Sequence, residues 1–189
     1  MALNPSYEAI GKGFVSQYYA LFDDPNQRPN LINLYSAESS FMTFEGQQIQ
    51  GGLKIMEKLN SLGFQKIERA VTSVDSQPMF DGGVLISVFG RLRSLIECYI
   101  YNYIKISMII LMVGQTDDDH PHAYVQTFVL SPIGTSFFVQ HDIFRLGMIY
   151  QLTDDDPPHM YFQTFVLKPL ANSFFCQHDI FRLGIHDKL

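Results

Sequence analysis

The chain has 189 residues, of which 47% are hydrophobic and 17% charged, and its formal net charge is -6. This length suits one domain, or one domain with an addition, and the low charged fraction argues against long disordered segments. The acidic balance and the absence of a basic stripe argue against binding to nucleic acids or to anionic membranes, and favour a partner that carries Lys or Arg.

Helices are predicted first along the chain. Asn4 can cap a helix that has Pro5 at its first position. An apolar residue then stands at every fourth position, which is typical of an amphipathic helix. These residues are Ile10, Phe14, Tyr18 and Phe22. Turn-forming residues at 23–26 end this helix, and a short second helix is predicted at 29–35.

Two short strands and a third helix follow. Residues 40–44 and 47–50 have extended character and flank the turn Glu45-Gly46. Gly51-Gly52 breaks the second strand, and the helix that comes after it has one apolar face. This face consists of Ile55, Leu59 and Leu62.

From residue 66 the sequence changes to β character. Residues 66–74 mix β-branched and polar side chains, Asp81-Gly82-Gly83 forms a hairpin turn, and residues 84–92 are strongly β-prone. Helices first and strands later predict an α+β domain. We expect an antiparallel sheet that is bent so that the helices lie in its concavity.

One segment, at 95–113, is apolar and long enough to be tested as a membrane span. It contains Glu97 and Lys105, and each charge near the middle of a span costs roughly 2.5–3.5 kcal/mol. The N-terminus lacks the basic and apolar regions of a signal peptide. We therefore expect no membrane insertion.

The clearest feature of the sequence is an internal duplication. Residues 116–147 and 153–184 align without a gap and are identical at 24 of 32 positions. Each copy predicts two strands joined by a hairpin turn, and two copies are too few for a solenoid. Each is therefore interpreted as the final hairpin of a sheet that has a place for only one of them.

The second copy is the one expected to complete the sheet. The domain then consists of residues 1–93 plus 153–189, and the insertion 94–152 holds the first copy as an extra hairpin. The first copy remains an alternative, since loop entropy separates the two by less than ~1 kcal/mol. Within the insertion, Ser94–Gln115 has no clear period. One hypothesis is that this segment is a translated intron between two alternative last exons.

A set of motifs at conserved spacing carries a family resemblance. They include Tyr7-Glu8-Ala9-Ile10-Gly11, Phe44-Glu45-Gly46-Gln47-Gln48, Phe64-Gln65-Lys66-Ile67 and the Asp-Ile-Phe-Arg-Leu run near the end. Over residues 1–93 plus one hairpin copy, the chain resembles the nuclear transport factor 2 family. The resemblance implies an NTF2-like α+β cone, in which a strongly bent antiparallel sheet wraps around the N-terminal helices. The extra β-hairpin departs from this pattern.

The resemblance also implies a function. Members of the family form homodimers that bind the GDP form of the GTPase Ran and the Phe-Gly repeats of nucleoporins, and they carry Ran into the nucleus. It implies neither catalysis nor a cofactor. It places the protein in the cytoplasm and the nucleus, with enrichment at the nuclear pore.

Acidic residues are expected to bind the basic switch region of Ran. The resemblance implies this role for Glu45 and for Asp154 and Asp156 of the second copy. If the first copy completes the sheet, the role of the two aspartates moves to Asp117 and Asp119. Carboxylates around the mouth of a cavity attract Lys and Arg, and desolvated charge pairs add specificity.

Apolar residues are expected to line the cavity that accepts an aromatic ring of Ran. By resemblance these residues are Phe44, Leu62, Ile67, Ile180 and Phe181. The alternative for all five is an ordinary place in the core. The nucleoporin contact is expected at Tyr7, where the family has an exposed Trp, and a core role at the start of the helix is the alternative there.

The histidines of the sequence do not predict catalysis or metal binding. His141-Asp142 and His178-Asp179 are neighbours on predicted strands, so their side chains point to opposite faces and a structural role is expected. The spacing of His120, His122 and His159 fits no metal site. An isomerase-like or dehydratase-like enzyme of the same fold is the alternative function, although we expect no carboxylate inside the cone. A non-functional splice or gene-model variant is a further alternative.

Overall fold

In the described part of the chain, all helices lie before residue 62, and the elements after them are strands. The computed structural model describes residues 3–62, 66–95, 121–147 and 160–184. The helices are α1 (Tyr7–Asp23), a 3-10 helix (Arg28–Leu34) and α2 (Gly52–Ser61). The strands are β1 (Phe41–Phe44), β2 (Gln47–Gln50), β3 (Lys66–Pro78), β4 (Val84–Leu95), β5 (His122–Ile133), β6 (Ser136–Leu146), β7 (Met160–Leu170) and β8 (Ser173–Gly184).

The main sheet is mixed rather than purely antiparallel. Within the described ranges its strand order is β2-β1-β6-β5-β4-β3. β1 runs parallel to β6, with Phe41 opposite His141 and Phe44 opposite Phe144, and the other neighbours run antiparallel. A parallel pair needs a long crossover connection, which α2 and strands β3–β5 supply here.

Helix α1 lies against the concave face of this sheet. In its apolar stripe Tyr18 and Phe22 are buried, and Ile10 and Phe14 are partly buried against the core. Phe128 of β5 packs edge-on against Phe14 and Tyr18 at ring distances of 5.0 and 4.8 Å. The helix starts at Tyr7, later than predicted, because Asn4 accepts the Ser6 N–H at 2.9 Å in the preceding turn. No helix in the described ranges is both long and apolar enough to cross a membrane.

The bend of the sheet is accommodated at Gly90 in β4. A Cβ atom there would lie 2.6 Å from the Ala70 carbonyl oxygen and 2.8 Å from the Tyr124 hydroxyl oxygen. The register of β3 shifts beside this point, between Val71 and Ser73. Such an irregularity increases local twist and bends the strand. The close approach of β3 and Tyr124 at this point requires glycine at position 90.

The first copy of the repeat closes the sheet, whereas we expected the second. β5 pairs with β4 and β6 pairs with β1, and β7–β8 form a separate two-stranded sheet. The structure therefore differs from a domain of residues 1–93 plus 153–189 with an insertion at 94–152. The connection from β4 to the first copy is the shorter one, which slightly lowers the entropic cost of closure. Residues 96–115 of the proposed intron-like segment lie outside the described residues.

The strand pair β7–β8, called the ribbon below, packs on the convex face of β3–β5, called the outer face. Ile180 of the ribbon is buried there with Met79 and Leu85. The opposite side of the ribbon is exposed and apolar, with Phe165 54% and Phe181 55% accessible. The ribbon therefore covers part of one sheet and leaves its own other side open.

Candidate functional site

The turn between β1 and β2 forms a rim beside the end of β6. The ring of Phe44 stacks on Phe144 at 4.9 Å and 8°, and Tyr124 stacks on the other side of Phe144 at 5.8 Å. Lys58 of α2 places its Nζ 5.2 Å from the centre of the Phe44 ring. Three aligned aromatic rings and one cation therefore lie beneath the turn that carries Glu45.

The Glu45 carboxylate is held in place at this rim. Its Oε1 accepts the backbone N–H of Leu146, and its Oε2 lies 3.8 Å from Arg145. The Glu45 side chain is 24% exposed and the Arg145 side chain 62%. The Glu45 backbone has a positive φ of 50°, and its N–H bonds the Phe144 carbonyl at 3.1 Å. A partly buried, oriented carboxylate of this kind is suited to binding a cationic side chain.

Three predicted cavity residues lie together, and two lie elsewhere. Leu62 and Ile67, which are 2% and 7% exposed, belong to the same core cluster as Phe44. Ile180 lies on the outer face and Phe181 is exposed on the ribbon. This corrects their expected place, because the first copy supplies the hairpin in the sheet. Phe144 stands beside Phe44, where we expected Phe181.

Several predicted positions fall outside the described residues. They are Asp117, Asp119, Asp154, Asp156, His120 and His159. Among the residues that the structure describes, no group of three or more His, Cys, Asp or Glu side chains could hold a metal ion. Tyr7 is the first residue of α1 and is partly buried against the main core, with its hydroxyl 3.4 Å from Glu8 Oε1.

A buried carboxylate lies inside the cone, where none was expected. Asp142 of β6 is 1% exposed. It accepts hydrogen bonds from the Tyr35 hydroxyl at 2.7 Å, the Tyr18 hydroxyl at 3.2 Å and the Gln126 amide at 2.8 Å. Its neighbour His141 is exposed on the other face and stacks on Phe41 at 5.7 Å. The two side chains thus form no dyad, as predicted, and three polar partners satisfy the buried carboxylate.

Asp142 should make the stability of the protein depend on pH. Burial raises the pKa of its carboxyl from 3.8 to about 6, although the hydrogen bonds that it accepts act in the opposite direction. The folded protein therefore holds this proton more tightly than the unfolded chain. Its contribution to stability is fully present below pH 3.8 and is lost as the pH rises through about 6. The expected loss in the free energy of unfolding is about 3 kcal/mol.

The repeat provides a matched control for this prediction. Asp142→Asn removes the titrating group and should flatten the pH dependence of unfolding by urea between pH 4 and 7. Asp179 occupies the same repeat position but is exposed on the ribbon, where it bonds Gln163 at 2.7 Å. Asp179→Asn should retain the slope. An unchanged slope in Asp142→Asn would contradict the assignment.

Two clefts open beside α1 and β3, and neither is lined by Asp142. One, of about 400 Å³, is lined by residues that include Glu8, Asp75 and Phe181, and the other, of about 430 Å³, by residues that include Lys12, Tyr19 and Arg69. A catalytic carboxylate must reach its substrate directly or through one water. Neither of these two clefts therefore gives Asp142 access to a substrate.

Comparisons with known proteins agree with this architecture. A nuclear transport factor 2 (NTF2) domain matches residues 10–95 and 105–146. A probable nuclear transport factor 2 of Caenorhabditis elegans is 37% identical over 78% of this chain and 98% of its own length. Nuclear transport factor 2 of Oryza sativa is 38% identical over 74% and 95%. The solved structure of nuclear transport factor 2 from Cryptosporidium parvum superposes with a TM-score of 0.61 at 34% identity, and covers 78% of this chain and 99% of that chain.

Proposed function

The chain belongs to the nuclear transport factor 2 family and is a nuclear transport factor, and from this premise we propose that it binds Ran in its GDP form and the Phe-Gly repeats of nucleoporins. In this role it carries Ran from the cytoplasm into the nucleus and is enriched at the nuclear pore. It performs no catalysis, in keeping with relatives that are named as transport factors.

The observation that carries the proposal is the position of Glu45 at the rim. The Leu146 amide fixes one carboxylate oxygen, and the second oxygen has only Arg145, at 3.8 Å, as a described ion-pair partner. This distance is at the upper limit for an ion pair, and Arg145 is largely exposed. A Lys or Arg of Ran can therefore approach the second oxygen without removing the bond that positions the carboxylate.

The aromatic stack below the rim supports the second half of the proposed contact. Phe44 and Phe144 are both 8% exposed, so only their edges reach the surface. Packing of a Ran ring against these edges would remove its apolar surface from water. Full burial of such a ring would favour binding by roughly 1.5–3 kcal/mol. Leu62 and Ile67 belong to the same hydrophobic core cluster as these two phenylalanine rings. Asp117 and Asp119 of the first copy are proposed as further acidic contacts, since this copy is in the sheet.

Transport itself is tested by nuclear import in permeabilised cells. Fluorescent Ran loaded with GDP is supplied with the purified full chain, and its accumulation in nuclei is compared with that of Ran alone. We expect the protein to raise the initial import rate severalfold. Import at the rate of Ran alone, with folded protein present, would contradict the role of a Ran carrier.

Tyr7 is proposed as the nucleoporin contact. Replacing its ring with the methyl group of alanine should weaken binding to a Phe-Gly repeat peptide about tenfold, from the lost burial of one aromatic side chain. Tyr161→Ala is the matched control, because Tyr161 is an aromatic on the ribbon that is 68% exposed. Equal affinities of the two variants, measured by titration with the peptide, would remove Tyr7 from the site.

The homodimer that the resemblance implies is proposed to form through the outer face, when this face is free of the ribbon. To bury enough surface for a stable dimer, the outer faces of the two sheets would have to pack against each other. In this protein the ribbon already occupies part of that face through Ile180.

A further inference from the structure

The ribbon contacts the outer face through one side of its hairpin. The equivalent side of the β5–β6 hairpin faces outward from the main sheet. Thr164, Ile180 and Arg182 of the ribbon face the sheet. Their counterparts in the first copy are Thr127, Ile143 and Arg145. Ile143 is 49% exposed and the side chain of Arg145 62%. Ile143 is thus exposed on the first copy, whereas its counterpart Ile180 is buried against the sheet.

One contact joins the same position of both copies. The hydroxyl oxygens of Thr127 and Thr164 lie 3.2 Å apart, and these residues are repeat counterparts. In a two-fold symmetric interface, residues near the axis meet their own equivalents. The ribbon therefore sits on β5 as the β5–β6 hairpin of a second molecule would sit in a symmetric pair.

The remaining contacts use residues that a second molecule also carries. Arg182 donates two hydrogen bonds to the Asp75 carboxylate, the Nε bond at 2.9 Å. Ile180 fills the apolar site formed by Met79 and Leu85. A neighbouring copy of this chain offers Arg145 and Ile143, with the same side-chain chemistry, on the outside of its own sheet. The occupant that fits this surface is thus a second copy.

We propose that the ribbon occupies, within the same chain, the outer face of β3–β5 through which the homodimer of the proposed function would form, and so takes the place of a partner molecule. The full chain is then a monomer, and displacing the ribbon exposes a surface on which two copies pair. This inference rests on the homodimer part of the proposed function, and it is measured without Ran. Its failure would therefore leave the Ran titrations unaffected.

Sedimentation velocity of the full chain tests the proposal first. The unmodified protein should sediment as one chain of 21.6 kDa. Ile180→Glu combined with Arg182→Glu removes both anchors of the ribbon and should shift the protein to twice that mass. Phe181→Glu is the control, because this neighbouring side chain is exposed on the other side of the ribbon, and it should stay monomeric. A dimeric unmodified chain, or an anchor variant that stays monomeric, would overturn the proposal.

Disulfide trapping provides a readout that does not depend on mass alone. In a background of Cys98→Ser and Cys176→Ser, the pair Thr127→Cys and Thr164→Cys should form a disulfide within one chain. Thr127→Cys alone should stay monomeric on a non-reducing gel, and become a covalent dimer when the anchor substitutions are added. Covalent dimers of Thr127→Cys with the anchors intact, or crosslinking of the double variant only between chains, would show that the ribbon does not cover this face.

Discussion

Replacing Glu45 with glutamine is expected to weaken the binding of Ran-GDP about thirtyfold, equivalent to about 2 kcal/mol. Glutamine keeps an oxygen that can accept the Leu146 N–H, so the turn should retain its conformation. Only the charge is lost, and a cation of Ran buried against the rim would be left without its counter-ion. Glu45→Lys should abolish measurable binding, since it also adds a positive charge beside Arg145.

Glu38→Gln is the matched control for this substitution. Glu38 is an exposed carboxylate beside the far end of β2, where its carbonyl accepts the Gln50 side chain at 3.2 Å. Removing its charge should change the affinity for Ran-GDP less than twofold, since a distant exposed charge contributes little to affinity. If Glu45→Gln and Glu38→Gln gave the same affinity by calorimetric titration, the rim would not be the Ran site.

Alanine substitutions at equivalent positions of the two repeat copies should have very different effects on stability. Phe128→Ala should lower the free energy of unfolding by about 3–5 kcal/mol, because it empties a fully buried site that packs against Phe14 and Tyr18. Phe165 stands at the same position of the second copy and is 54% exposed. Phe165→Ala should change stability by no more than about 0.5 kcal/mol. Unfolding by urea, followed by circular dichroism, measures both.

The comparison of these two variants identifies the hairpin that closes the cone. A large loss in Phe165→Ala together with a small one in Phe128→Ala would mean that the second copy takes the place of the first. Similar losses in both would mean that the two hairpins share the place. Either result would contradict the strand order described here.

The sequence predicts the helices and strands of this fold better than it predicts which copy of the repeat enters the main sheet. The stripe of α1, the turn at Glu45 and the helix after Gly52 all follow from local patterns, and the structure contains each of them. The choice between hairpins could not follow in this way. β5–β6 bury nine residues, and seven of them have identical counterparts in the ribbon. The two pairs that differ are Ala123 with Met160 and Val139 with Cys176.

The buried Asp142 was missed for a different reason. A carboxylate is costly to bury alone, so composition favours an aromatic and aliphatic interior. Its partners Tyr18, Tyr35 and Gln126 come from three separate elements that only the tertiary fold brings together. A signal was nevertheless present, because a buried tyrosine hydroxyl usually needs a hydrogen-bond partner, and Tyr18 stands in the apolar stripe of α1.

Part of the proposed Ran site was predictable and part was not. Phe44 and Glu45 are adjacent in sequence, so their joint position at a turn follows from the chain itself. The neighbours Phe144 and Leu146 come from the hairpin that closes the sheet. Their identity therefore depended on which copy of the repeat occupies that place, which the sequence left open.

We propose that this protein recognises Ran by its nucleotide state through the rim at Glu45. The most direct test titrates the full chain with Ran loaded with GDP and, in parallel, with Ran loaded with a non-hydrolysable GTP analogue, at one salt concentration. We predict saturable binding of Ran-GDP and an affinity for the GTP form that is at least about tenfold weaker, or about 1.4 kcal/mol. Equal affinity for both forms, or no binding of Ran-GDP by folded protein, would contradict the account.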